Sequence, residues 1–157
     1  MSNGSTVKLT CRPGGTALLV ALALALGACA TERAGTDDPI EQHQITAELD
    51  NGRLRLTCEL ACSGSWRAAR KVLRGLHEQG LWSELAVEVV RIGHNTDLGY
   101  FYLGRAAEGR GRPQAAAVFY RFALATTAKC DGLIFDSCDG LRFPADAEAA
   151  LARVAAR

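Results

Sequence analysis

The chain lacks the local patterns that announce common enzyme chemistry. It has no Gly-x-Ser-x-Gly, no phosphate loop and no dinucleotide fingerprint, so acyl transfer, phosphoryl transfer and hydride transfer have no signature here. No Cys-x-x-Cys occurs, which removes the usual catalytic thiol pair. The three histidines, His43, His77 and His94, fall in no His-x3-His or Glu-x-x-His spacing, the spacing that puts two ligands on one helix face. His77 reads instead as a half-exposed helix residue. Neither charge sign dominates: 18 basic residues face 17 acidic ones, a net charge of +1, which is too weak a field to hold nucleic acid. After one apolar stretch near the start, no second run approaches the ~20 residues a membrane span needs. No catalytic residue, metal or cofactor is expected, and the chain reads as a non-enzyme.

The N-terminus is where the sequence says most. Lys8 and Arg12 precede the apolar run from Thr16 to Leu26, with no acidic residue among them. The run is too short to cross a bilayer and suits a secretory h-region. It ends in Leu26-Gly27-Ala28-Cys29: small side chains beside the cut, then a cysteine. This segment resembles a bacterial lipoprotein signal peptide with its lipobox. The resemblance implies that residues 1–28 are removed and that Cys29 becomes a lipidated, palmitate-bearing N-terminus. One acyl chain anchors only marginally, so stable attachment takes more than one, as in that family. Ala30 rather than an acidic residue follows the cysteine, which in the enterobacterial sorting pattern points to the outer membrane, facing the periplasm. The competing reading is an ordinary signal peptide with Cys29 incidental.

Cleavage would leave about 129 residues, enough for one domain with one core. It removes two basic residues and no acid, so sixteen basic residues would face seventeen acidic ones. Residues 29–43 are polar and aperiodic, as a flexible tether between lipid and domain would be. Of the six cysteines, Cys11 lies in the discarded region and Cys29 takes the lipid. Cys58, Cys62, Cys130 and Cys138 remain, an even number in an oxidising compartment, which favours two disulfides. Three connectivities are open. Cys130–Cys138, closing a short loop that contains Gly132, is preferred, and Cys58–Cys62 is then the remaining pair. A structural zinc site is the rival, but its spacing and compartment fit poorly. Asp131, Asp136 and Asp139 could cluster for calcium, although turn chemistry explains the Asp-Gly pairs more simply.

Residues 44–157 form the expected domain. Ile45, Ala47 and Leu49 alternate with polar residues, Asp50-Asn51-Gly52 comes next, and Leu54, Leu56 and Cys58 alternate again. Alternation on both sides of Asn-Gly predicts a β-hairpin, with one face resting on the helices C-terminal to it. From Ser65 the period turns helical. Trp66, Ala69, Val72, Leu73 and Leu76 make one stripe, and after Gly80 comes Trp82, Leu85, Ala86, Val89 and Ile92. Tyr100, Leu103, Gly104 and Ala107 make a third stripe, and Ala116, Val118, Phe119, Tyr120, Ala123 and Leu124 make the fourth. A Cys- and Gly-containing loop spans residues 129–143, and Pro144 opens a last helix through Ala147, Leu151 and Val154. The fold class expected is mainly α: antiparallel helix pairs preceded by a small β-hairpin.

Residues 97–128 resemble a tetratricopeptide repeat, with a Sel1-like flavour around Tyr102-Leu103-Gly104-Arg105. Tyr100, Leu103, Gly104 and Ala107 fall at the first helix's positions, Gly111 at the turn, and Ala116, Tyr120 and Ala123 at the second helix's. The small Gly104 and Ala116 let the helices approach while Tyr100, Tyr120 and Leu103 fill the space around them. Ala128 stands where the pattern has proline. The segment 31 residues earlier matches weakly, with Leu73 for glycine and Leu85 for alanine, and the last helix looks like a solvating cap. The resemblance implies a concave groove that takes a protein or peptide partner. Its candidate contacts are Tyr100, Tyr102 and Arg105 in the better repeat and Arg70 and Arg74 in the weaker one, residue types that often anchor interfaces. Arg67, Arg70, Lys71 and Arg74 share one helical face, suited to an acidic partner or anionic headgroups, or simply to solvent. The expected function is that of a membrane-anchored envelope lipoprotein acting as a protein-interaction module. The alternative is a structural or assembly accessory of an envelope or secretion complex.

Overall fold

The structure, a computed structural model, describes residues 38–131 and 138–157. The signal segment, Cys11, Cys29, most of the tether, Gly132 and Asp136 lie outside them. The described residues are mainly helical, with six α-helices: α1 Pro39–Asp50, α2 Ser63–Gln79, α3 Trp82–Ile92, α4 Asp97–Gly109, α5 Pro113–Ala125 and α6 Ala145–Ala155. A 3-10 turn, Leu60–Cys62, leads into α2.

The expected β-hairpin is not there. Its first arm is helix α1, which starts inside the stretch assigned to the tether. Asp38 caps it, its carboxylate accepting from the Ile40 amide at 2.9 Å, and Pro39 supplies a preset φ in the first turn. Ile45 and Leu49 are buried; they are four residues apart, which satisfies a helix face as well as a strand face. Asn51-Gly52 closes the helix rather than turning a hairpin. The Arg53 amide reaches back to the Glu48 carbonyl and the Gly52 amide to Leu49, the paired bonds that end a helix on a left-handed residue. Gly52 has φ of 68°, where a side chain is disfavoured.

The second arm keeps the alternating burial its sequence predicts, but among the described residues it has no neighbouring strand. Leu54 and Leu56 are buried while Arg53, Arg55 and Thr57 face out. Among the described residues, the only ladder contact of this arm is an isolated bridge between Cys58 and His94. A side chain replaces the missing strand. The Leu56 amide donates to the Tyr100 hydroxyl at 3.1 Å, and that hydroxyl donates to the Leu56 carbonyl at 3.4 Å.

The remaining helices match the predicted stripes. Trp66, Ala69 and Leu73 of α2 and Leu85, Ala86 and Val89 of α3 are buried, while Val72 is 39% exposed. The core centres on α4, where Leu98 through Leu103, Ala106 and Ala107 are all buried. It packs against α5 and α3, and α6 packs on α5. A Cβ at Gly104 would overlap the Tyr120 ring, so the missing side chain lets α4 and α5 approach. Both cysteine pairs are bonded as preferred, Cys58–Cys62 and Cys130–Cys138.

Candidate partner-binding face

The five groove candidates separate once their exposure is known. Tyr100 lies inside the fold, 6% exposed, its hydroxyl spent on Leu56. Tyr102 is 1% exposed. Neither can line an open groove: each ring packs among its neighbours, Tyr100 on Phe122 and Tyr102 on Trp66 and His77. Arg105 is only partly accessible. Its Nε donates to His77 Nε2 at 3.3 Å, its Nη1 to Glu108 at 3.1 Å, and its guanidinium lies over the Trp82 ring. Arg70 and Arg74 of α2 remain at the surface, and Arg74 is half exposed beside Glu78.

Arg70 and Tyr102 are nonetheless brought together, by Asp139, which the sequence marked as a turn aspartate or a calcium candidate. Asp139 sits just after Cys138, and its side chain is 4% exposed. The Tyr102 hydroxyl donates to one of its oxygens at 2.7 Å, and Arg70 Nη2 donates to the other at 2.7 Å. The carboxylate thus joins α2 to α4, whose residues stand 69 and 37 positions away. Burial, then the bond to Asp139, pushes the Tyr102 hydroxyl well above its ordinary pKa, so it stays a donor. Asp139 itself has φ of 51°, a left-handed conformation that aspartate tolerates better than most residues.

Asp139 is tethered through its neighbour Cys138. The disulfide bonds Cys138 to Cys130. The Cys130 amide donates at 2.9 Å to Asp97, a fully buried residue at the start of α4. Asp97 also accepts from the Leu98 amide, while its second oxygen is buried without a partner. Burial therefore raises its pKa despite those two bonds. Beside this loop opens a cleft of about 570 Å³, lined by Arg70, Arg74, Asp131, Asp139 and Gly140.

A second carboxylate, Glu108, organises the other end of α4. It is 7% exposed. Arg153 of α6 grips both its oxygens at 2.8 Å, and the Tyr120 hydroxyl donates at 2.8 Å. These contacts, Arg153 first, hold its pKa down to about 2. His77 faces the opposite trend: burial, then the Arg105 charge, lowers its pKa, in keeping with a neutral ring that accepts from Arg105. Sequence reasoning missed Glu108, Asp97 and the role of Asp139. The one local hint was Thr96-Asp97, a helix-start pair whose threonine indeed caps Gly99 at 3.1 Å.

Among the described residues, no cluster of three His, Cys, Asp or Glu side chains could hold a metal ion. No described helix is long and apolar enough to cross a membrane. No family model, curated protein or solved structure matches the chain.

Proposed function

We propose that this chain is a small envelope lipoprotein, anchored through Cys29 in the outer membrane, whose tetratricopeptide-like helix pairs form a non-enzymatic module for a protein or peptide partner. The observation that carries this reading is the cleft between α2 and the disulfide-tied loop. It is open to solvent, it is edged by Arg70 and Arg74, and it lies on the helix that carries Arg67 and Lys71 at exposed positions. Arginine anchors interfaces well, because its planar fork offers several donors at once. The helix pairs α2–α3 and α4–α5 supply a rigid base for that surface, with α6 as the closing element. The contact set is therefore Arg70, Arg74 and Lys71. Tyr102 serves from beneath, and Tyr100 serves the fold.

The test is site-specific photocrosslinking in cells, with the photoreactive residue at Lys71 in one strain and at Glu84 of α3 in another. A dominant adduct from Lys71 that is missing from Glu84 supports the module. No adduct at Lys71, or the same adducts at both positions, would overturn it.

A further inference from the structure

The Asp139 carboxylate occupies a position that a ligand could use. It comes from a loop, not from the helices it bridges, and it meets two donors from two helices with its side chain almost wholly buried. Arg70 is only half used: Nη2 binds Asp139, while Nε is buried with no partner. A guanidinium binds a carboxylate best through two parallel bonds. Asp139 makes one of them, from a left-handed backbone. The 570 Å³ cleft adjoins this pair, and Arg74 stands on its rim. Around it, α2 carries Arg67, Arg70, Lys71 and Arg74 against a single acidic residue, Glu78.

We propose that Arg70 and Tyr102 form a carboxylate-binding subsite held shut by the chain's own Asp139, and that an acidic peptide displaces Asp139 and docks along α2. This rests on reading the α2 cleft as the partner surface and names the partner's chemistry. Asp139 acts as an internal competitor. Only the fraction of molecules with the Asp139 side chain unseated binds the peptide, and apparent affinity falls by that fraction. The incoming carboxylate gains both Nε and Nη2 of Arg70 and the Tyr102 hydroxyl, and further acidic side chains meet Arg74, Lys71 and Arg67. The Cys130–Cys138 bond and the Asp97 contact keep the displaced Asp139 close, so that it reseats when the peptide leaves.

Fluorescence anisotropy of a short fluorescein-labelled Glu-rich peptide, titrated with the full chain, tests this. The Gln-rich peptide of equal length is the control. Asp139→Asn keeps a residue that tolerates positive φ and removes the competing charge. It is expected to tighten Glu-rich binding by about fivefold or more, with no change for the Gln-rich peptide. Arg70→Gln in that background is expected to abolish the gain. The double variant Cys130→Ser/Cys138→Ser frees the loop by a separate route and is expected to tighten binding in the same direction. Unchanged or weaker Glu-rich binding in Asp139→Asn or in Cys130→Ser/Cys138→Ser, whichever keeps its far-UV circular dichroism, would overturn the proposal, as would a gain that survives Arg70→Gln. So would binding to vesicles of anionic lipid that Arg70→Gln weakens, in the absence of any peptide binding, since the occupant would then be a membrane surface. A Lys71 crosslink in cells together with a flat peptide series leaves the module standing and removes the Asp139 mechanism. The reverse pattern keeps the subsite and removes the module.

Discussion

Among the described residues, Glu108 and Asp139 each gather donors from more than one helix. Glu108 takes Arg153 on both oxygens, Arg105 at 3.1 Å and the Tyr120 hydroxyl. It thereby joins α4, α5 and α6 around one nearly buried charge. Removing one partner of such a cluster costs more than the cluster contributes, because the arginines stay behind unpaired. Glu108→Gln is expected to destabilise the fold by about 2 kcal/mol, read from urea denaturation. The pH dependence has a definite sign. The folded-state pKa is depressed to about 2 from 4.5, so this stabilisation is complete above the ordinary carboxylate range and is lost as pH falls from there toward 2. Melting temperature should drop over that window, and the Glu108→Gln variant should show a shallower drop. An identical slope in the variant would rule out Glu108 as the titrating group. Asp139 is the second hub, and its two bonds tie α2 to α4 beside the packing of Trp66 on Tyr102.

The element that defines the molecule is the α4–α5 pair. Its approach depends on Gly104 leaving room for the Tyr120 ring. Gly104→Ala would gain helix propensity, but the added methyl must push against a fully buried aromatic side chain. Overpacking of that kind costs about 1–3 kcal/mol, more than the ~1 kcal/mol that alanine gains over glycine in a helix. A lowered denaturation midpoint with unchanged slope is expected, and a raised midpoint would refute the close contact. The same pair shows how much of the fold a periodic reading reaches. Apolar residues at three- and four-residue spacing placed α2 to α5, and Gly80 and Gly111 placed two of their ends. The α1 segment was misread because Ile45 and Leu49 fit both periods, and because Asn51-Gly52 serves a helix end and a hairpin equally. The Asp38-Pro39 start signal decides for the helix, but it fell in a stretch whose composition resembled a tether.

At the scale of the whole molecule, the proposed anchor at Cys29 sets where everything else operates. Cys29→Ser is expected to move the chain from the membrane fraction to the soluble one, with the Cys58–Cys62 and Cys130–Cys138 bonds still formed. A variant that stays with the membrane would reject lipidation at this residue. The candidate surface was legible only in part. Arg70 and Arg74 could be placed on the outer side of α2 from spacing alone, while Tyr100 and Tyr102 looked equally available and are not. Their hydroxyls serve Leu56 and Asp139, partners that no local pattern connects to them.

Although it left three cysteine pairings open, the sequence by itself determined the helical class of the domain, most helix positions and the glycine-ended turns. Each of these depends on neighbours within about two helical turns, where residue type and spacing set backbone conformation directly. Only the tertiary structure decided that the tyrosines face inward and that Asp139 closes on Arg70. Those outcomes depend on which side chains meet across separations of 37 to 69 residues. Burial there turns a solvated turn residue into a shielded charge, and such a charge persists only where donors from other helices converge on it.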